Sequence, residues 1–186
     1  MPSPSQPRLE SKAAALAPER SADAPRASRR RPVVLVVDDE DDVLQSVRDL
    51  LRLDYQVVLQ GSGVEALEYL RGGHDVAAIL TDQRMPGMTG VELLCEAAAI
   101  RPETTRLLFT AFADLRTVVD AINQGHAFRY IAKPWDTNEL QVLIRHAVER
   151  HDLIVEKNRL LAELQAANAR LREADRLKGA FLEVAS

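Results

Sequence analysis

From residue 33 onward the chain alternates between two kinds of apolar pattern. Val33-Val34-Leu35-Val36-Val37 is an unbroken run rich in β-branched residues, the texture of a strand covered on both faces in a parallel sheet. A helical period follows over 41–53, with Val43, Leu44, Val47, Leu50 and Leu51 on one face. The same alternation then repeats: a strand at 55–60, a short helix at 63–71 around Ala66, Leu67 and Leu70, and a strand at 76–81. The turn-rich Met85-Pro86-Gly87-Met88-Thr89-Gly90 leads into a helix at 91–100 that Pro102 ends. A strand at 106–110, a helix at 115–124 and a strand at 127–132 come next, and Lys133-Pro134-Trp135 turns into a last helix capped by Asp136 or Thr137. Strands alternating with helices over about 115 residues predict an α/β fold: a doubly wound, five-stranded parallel sheet that binds ligands at the carboxyl ends of its strands.

The last helix does not stop at the domain edge. Between Thr137 and Gly179 there is neither proline nor glycine. Leu153, Lys157, Leu160, Leu164, Ala167, Leu171, Ala174, Lys178 and Phe181 are spaced by alternating fours and threes, the pattern of a coiled-coil seam of about four heptads. The two lysines weaken it. A lone helix of this length is marginal in water, so it is expected to pair with a copy of itself as a homodimer or to pack on something outside this chain. Residues 1–32 show no apolar period and are rich in Pro, Ser, Ala and Arg; they read as a disordered arm whose Arg29-Arg30-Arg31 is either a solvated basic tail or a contact for a phosphate-bearing partner. The expected organisation is therefore an arm (1–32), a domain (33–150) and a helix (151–186).

Charge sharpens this division. Of 24 Lys/Arg and 28 Asp/Glu, the arm holds seven and three, which leaves 17 against 25 on the rest. An acidic body argues against nucleic acid as the main partner and suits a site that collects a divalent cation. Cys95 is the only cysteine, which excludes an intrachain disulfide and fits a reducing, cytoplasmic setting. No apolar run approaches the ~20 residues of a membrane span, and no signal peptide is evident. Only 4% of the chain is aromatic, so the core must be aliphatic.

The informative positions are strand ends. Asp38 and Asp39 follow the first strand, Asp82 the third and Lys133 the fifth, while Thr110 ends the fourth. In a doubly wound sheet these points meet on one rim. Carboxylates gathered there repel one another, and a hard cation such as Mg2+, with water completing its octahedron, relieves that repulsion. Lys133 adds a fixed positive charge and Thr110 a short hydroxyl. Together these supply what in-line phosphoryl transfer to a carboxylate needs.

Val-Val-Asp-Asp-Glu at 36–40, Leu-Thr-Asp-Gln-Arg-Met-Pro-Gly-Met-Thr-Gly at 80–90, Phe-Thr-Ala at 109–111 and Tyr-Ile-Ala-Lys-Pro-Trp at 130–135 resemble the receiver domain of response regulators in two-component signalling. The resemblance implies that Asp82 is the nucleophile and phosphorylation site, served by a histidine kinase or phosphotransfer protein. It implies that Asp39 binds Mg2+ directly, Asp38 mainly through water, and the Arg84 carbonyl completes the protein ligands together with Asp82. Thr110 would hydrogen-bond the phosphoryl group, Lys133 would neutralise it, and Lys133–Pro134 would be cis. Tyr130 would be the aromatic switch that follows Thr110, and the small Ala111 would leave room for phosphate. Arg84 stands where aspartate-nucleophile phosphatases usually carry a second aspartate, which argues against that class; a scaffold that never takes up phosphate is the other alternative.

Elsewhere, His74, His126, His146 and His151 are scattered, with the last two expected on the surface. Cys95 is expected in the core, and Trp135 as a packing anchor. The ending Phe-Leu-Glu-Val-Ala-Ser is similar to the approach to the phosphoacceptor box of histidine kinases. That suggests a piece of a receiver-first hybrid kinase; the rival reading is a response regulator that acts by protein–protein contact through its helix.

Overall fold

The computed structural model describes residues 31–111, 119, 122 and 127–184, with side chains as far as Lys178. Five strands, β1 (Val33–Val37), β2 (Gln56–Gln60), β3 (Ala78–Asp82), β4 (Thr105–Thr110) and β5 (Arg129–Ala132), form one parallel sheet in the order β2-β1-β3-β4-β5. The chain winds from β1 outward to β2 and then crosses back to β3 on the other side of β1. That reversal opens a crevice at the carboxyl ends of β1 and β3.

Four helices complete the described fold: α1 (Asp41–Leu51), α2 (Gly63–Arg71), α3 (Gly90–Ile100) and α4 (Thr137–Val184). Because a parallel sheet is covered on both sides, successive residues of β1 feed two different cores. Val34 and Val36 pack with Leu44, Val47 and Leu51 of α1 and with Leu140, Ile144 and Ala147 of α4. Leu35 and Val37 pack with Ala66, Leu67 and Leu70 of α2 and with Leu93, Leu94 and Ala97 of α3. This is why the strand reads as an unbroken apolar run rather than an alternation.

Local chemistry sets the helix starts. Thr89 and Glu92 form a reciprocal capping box at α3, Ser62 Oγ accepts from the Glu65 N–H at α2, and Asp136 Oδ1 accepts from the N–H groups of Asn138 and Glu139 at α4. Differences from the expected elements are confined to their ends. Residues 52–53 leave α1, and β3 gains Asp82 while losing Val76 and Ala77. Of the helix expected at 115–124, only Val119 and Ile122 are described, both helical; the rest lies outside the described residues, as does the arm up to residue 30.

α4 is 48 residues long, about 72 Å. Its first four turns bury Leu140, Leu143, Ile144, Ala147, Val148 and His151; from Val155 to Lys178 every described side chain is exposed, Leu160, Leu164 and Leu171 among them. No helix among the described residues is long and apolar enough to cross a membrane.

Candidate functional site at the strand ends

Register brings the predicted residues together. Val37 pairs with Thr81, Asp82 with Phe109, and Thr110 with Ala132, so Asp38, Asp82, Thr110 and Lys133 lie on one rim. Lys133 is 95 positions from Asp38, yet its Nζ is 2.9 Å from Asp38 Oδ2 and 2.6 Å from Asp82 Oδ1. The Lys133 N–H donates to the Thr110 carbonyl, and the Lys133–Pro134 peptide is cis.

The remaining carboxylate oxygens are also held. Asp38 Oδ1 accepts from the Glu40 N–H at 2.9 Å, and Asp82 Oδ2 from the Arg84 N–H at 2.5 Å. Asp38 is 0% exposed and Asp82 8%, whereas Asp39 and Arg84 face solvent. Two buried carboxylates need a cation, and the ammonium provides one. Burial by itself pushes the Lys133 amine down, but its hydrogen bonds to Asp82 and Asp38 and their charges outweigh this, and the net shift is upward.

Gln83 and Gly90 hold the loop that follows Asp82, and neither was singled out as a site residue in the sequence. The Gln83 N–H donates to the Phe109 carbonyl, its own carbonyl accepts from the Gly90 N–H, and its side chain accepts from the Val91 N–H at 3.3 Å. A Cβ on Gly90 would run into the Asp82 carbonyl oxygen and come within 2.7 Å of the Leu108 side chain, so the absence of a side chain there lets the loop close against the end of β3. Glycine in a turn was the visible signal; the close approach was not.

Thr110 is buried, and its hydroxyl donates to the Ala111 carbonyl at 2.9 Å. Tyr130 is 39% exposed and lines an open groove of about 350 Å³ with Arg129, Val142 and His146. Trp135 stacks on Phe109 with ring centroids 4.6 Å apart.

Two expectations fail. His151 is buried rather than on the surface, because it falls on the same face of α4 as Leu140, Leu143, Ala147 and Val148. Cys95 is half-buried rather than core, since Leu94 and Ala97 take the inward positions of α3; burial still raises its thiol pKa. His146 is exposed as expected, His74 is exposed beside Tyr69, and His126 lies outside the described residues.

Among the described residues, no three His, Cys, Asp or Glu side chains are grouped as a ready-made metal cage. The donor set nonetheless fits Mg2+, which keeps most of its water and takes one or two carboxylates. Asp38 and Asp82 already share one cation, the Lys133 ammonium, and Asp39 next in the chain is exposed.

A doubly wound sheet with an acidic crevice bridged by a lysine defines the class: an α/β domain that presents two carboxylates and one cation at the ligand-binding edge of its sheet. The sequence comparisons narrow this: the response regulator receiver domain family matches residues 34–145, more than half of the chain, and the chain belongs to that family. It is 36% identical over 146 residues to the hydrogenase transcriptional regulatory protein HoxA of Cupriavidus necator, covering 78% of this chain and 30% of that one. It is 34% identical over 139 residues to the C4-dicarboxylate transport transcriptional regulatory protein DctD of Rhizobium meliloti, covering 74% and 30%. The chain thus spans under a third of the length of these relatives. Among solved structures, the signal receiver domain of an HD domain-containing protein from Pseudomonas fluorescens superposes with a TM-score of 0.65 at 34% identity, covering 70% of this chain and 96% of that one. This is a receiver domain of two-component signalling.

Proposed function

We propose that Asp82 is the phosphoacceptor. A carboxylate oxygen of Asp82 forms the new bond to phosphorus, the bond from phosphorus to the donor histidine nitrogen breaks, and the electron pair leaves with the imidazole of a histidine kinase or phosphotransfer protein. Mg2+, held by Asp39, Asp82 and the Arg84 carbonyl, with Asp38 acting through water, would screen the charge of the incoming phosphoryl group. Lys133 follows the negative charge, exchanging its contact with Asp82 for a phosphoryl oxygen while keeping Asp38. Thr110 breaks its bond to the Ala111 carbonyl to donate to the phosphoryl group, and Tyr130 turns inward behind it as the switch.

The observation that carries this reading is the pair of short contacts from Lys133 to Asp38 and Asp82. Acetyl phosphate with Mg2+ should label the wild-type chain and leave Asp82→Asn unlabelled. Equal labelling of the two would overturn the assignment.

The output reading rests on α4, whose exposed Leu160, Leu164 and Leu171 support a parallel coiled-coil homodimer driven by the receiver. The named relatives are transcriptional regulators, which favours a response regulator over a hybrid-kinase piece, for which only the likeness of the tail speaks. The acidic body still argues against this domain itself gripping nucleic acid; an output that does so is compatible with the relatives.

A further inference from the structure

His151 sits where α4 changes character: Ala147 and Val148 before it are buried, and everything described from Val155 onward is exposed. It is the only buried histidine among the described residues, at 5% exposure, and phosphoryl transfer at the opposite rim makes no use of it. Apolar side chains fill the rest of this face of the helix, and a leucine would cover the position without a polar nitrogen to satisfy. The ring instead lies between two carboxylates. Its Nδ1 is 3.3 Å from Asp152 Oδ1 on the same helix, and its Nε2 is 3.6 Å from Asp75 Oδ1 in the segment joining α2 to β3. That Nε2 is buried without a hydrogen-bond partner, while the Asp75 side chain is 91% exposed. A buried donor or acceptor left unmade is costly, so a contact half an ångström too long is one that a small shift of loop or helix completes or breaks.

The placement gives this contact leverage. α4 begins four residues after Lys133 and runs about 21 Å as a packed rod to His151. Asp75 lies just ahead of β3, the strand that ends in Asp82. The contact therefore ties the far end of one site element to the far end of the other.

We propose that His151 and Asp75 form a clasp that fixes the rotational phase at which α4 leaves the receiver, so that the exposed part of the helix is presented in one orientation. His151 is a positioning residue in this device. The clasp does not depend on Asp82 being the phosphoacceptor, and its test contains no phosphotransfer. Amide exchange is followed on the full chain for wild type, Asp75→Ala, His151→Gln and the double variant, in chelator. Asp75 is exposed, so Asp75→Ala keeps the fold even if His151→Gln disturbs packing. Either single change should speed exchange of the helix amides at 148–156 about tenfold, the double should be no faster than the singles, and the amides of β1 and β3 should not change. The clasp is overturned if Asp75→Ala leaves 148–156 within twofold of wild type, if the two changes multiply, or if protection is lost equally across the sheet.

Discussion

Replacing Lys133 by methionine keeps the aliphatic stem and removes the cation that Asp38 and Asp82 share. The ammonium lies 2.9 and 2.6 Å from the two carboxylates, and the three side chains are 21%, 0% and 11% exposed. At an effective dielectric constant of ~20 each pair attracts by about 6 kcal/mol. Taking the charges out of water offsets much of that, and breaking such a pair by removing one partner costs about 3–5 kcal/mol. The partial exposure of Lys133 and the freedom of Asp82 to turn toward solvent lower the expected loss to about 2–4 kcal/mol. In chelator, Lys133→Met should therefore melt about 10 °C below wild type. Added Mg2+ should restore most of this and raise the variant further than wild type, because two uncompensated carboxylates hold a cation more tightly than a pair with a resident ammonium. The pH dependence has a definite sign. The Lys133 pKa is raised in the folded state despite desolvation, through its hydrogen bonds to Asp82 and Asp38. Its contribution is then fully present below the unfolded lysine value of about 10.4 and is lost as pH rises through the folded value. Thermal melts of both proteins in chelator and in Mg2+ across the neutral to alkaline range measure all three effects. A variant as stable as wild type in chelator, or a gap that widens at high pH, would refute the ion-pair account.

Calorimetric titration should show Mg2+ binding abolished by Asp39→Ala and only weakened by Asp38→Ala, while thermal melts show the reverse order of damage, because Asp38 is buried with two partners and Asp39 is exposed. Gly90→Ala should lower the urea midpoint by the equivalent of about 1–3 kcal/mol and slow labelling at Asp82, since the new methyl meets the Asp82 carbonyl. An unchanged midpoint would mean that the loop yields freely. In sedimentation the full chain should be dimeric at tens of micromolar and a version ended after Ile154 monomeric; burying Leu160, Leu164 and Leu171 gives roughly 1.5–3 kcal/mol each, against about 4–15 kcal/mol for association. A monomeric full chain, with and without beryllofluoride, would remove the coiled-coil output.

The element order was legible because the central strands β1 and β3 are built on continuous apolar runs with turn residues after them, and the helices between them carry their own period. That pattern is local, and so are the capping residues Ser62, Thr89 and Asp136. Even the rim is legible, since in a parallel sheet every strand end points the same way, which places Asp38, Asp82, Thr110 and Lys133 together. Pairings that depend on three-dimensional approach were not legible. Nothing in the sequence shows that Lys133 bridges Asp38 and Asp82 rather than one of them, or that Gly90 is needed because a backbone oxygen occupies the space of its side chain. His151 is the clearest case. Its period on α4 marks the inward face, but a polar residue on a helix that becomes fully exposed one turn later reads as surface. Only the docking of α4 against the sheet and the placement of Asp75 beside its end decide that the ring is buried.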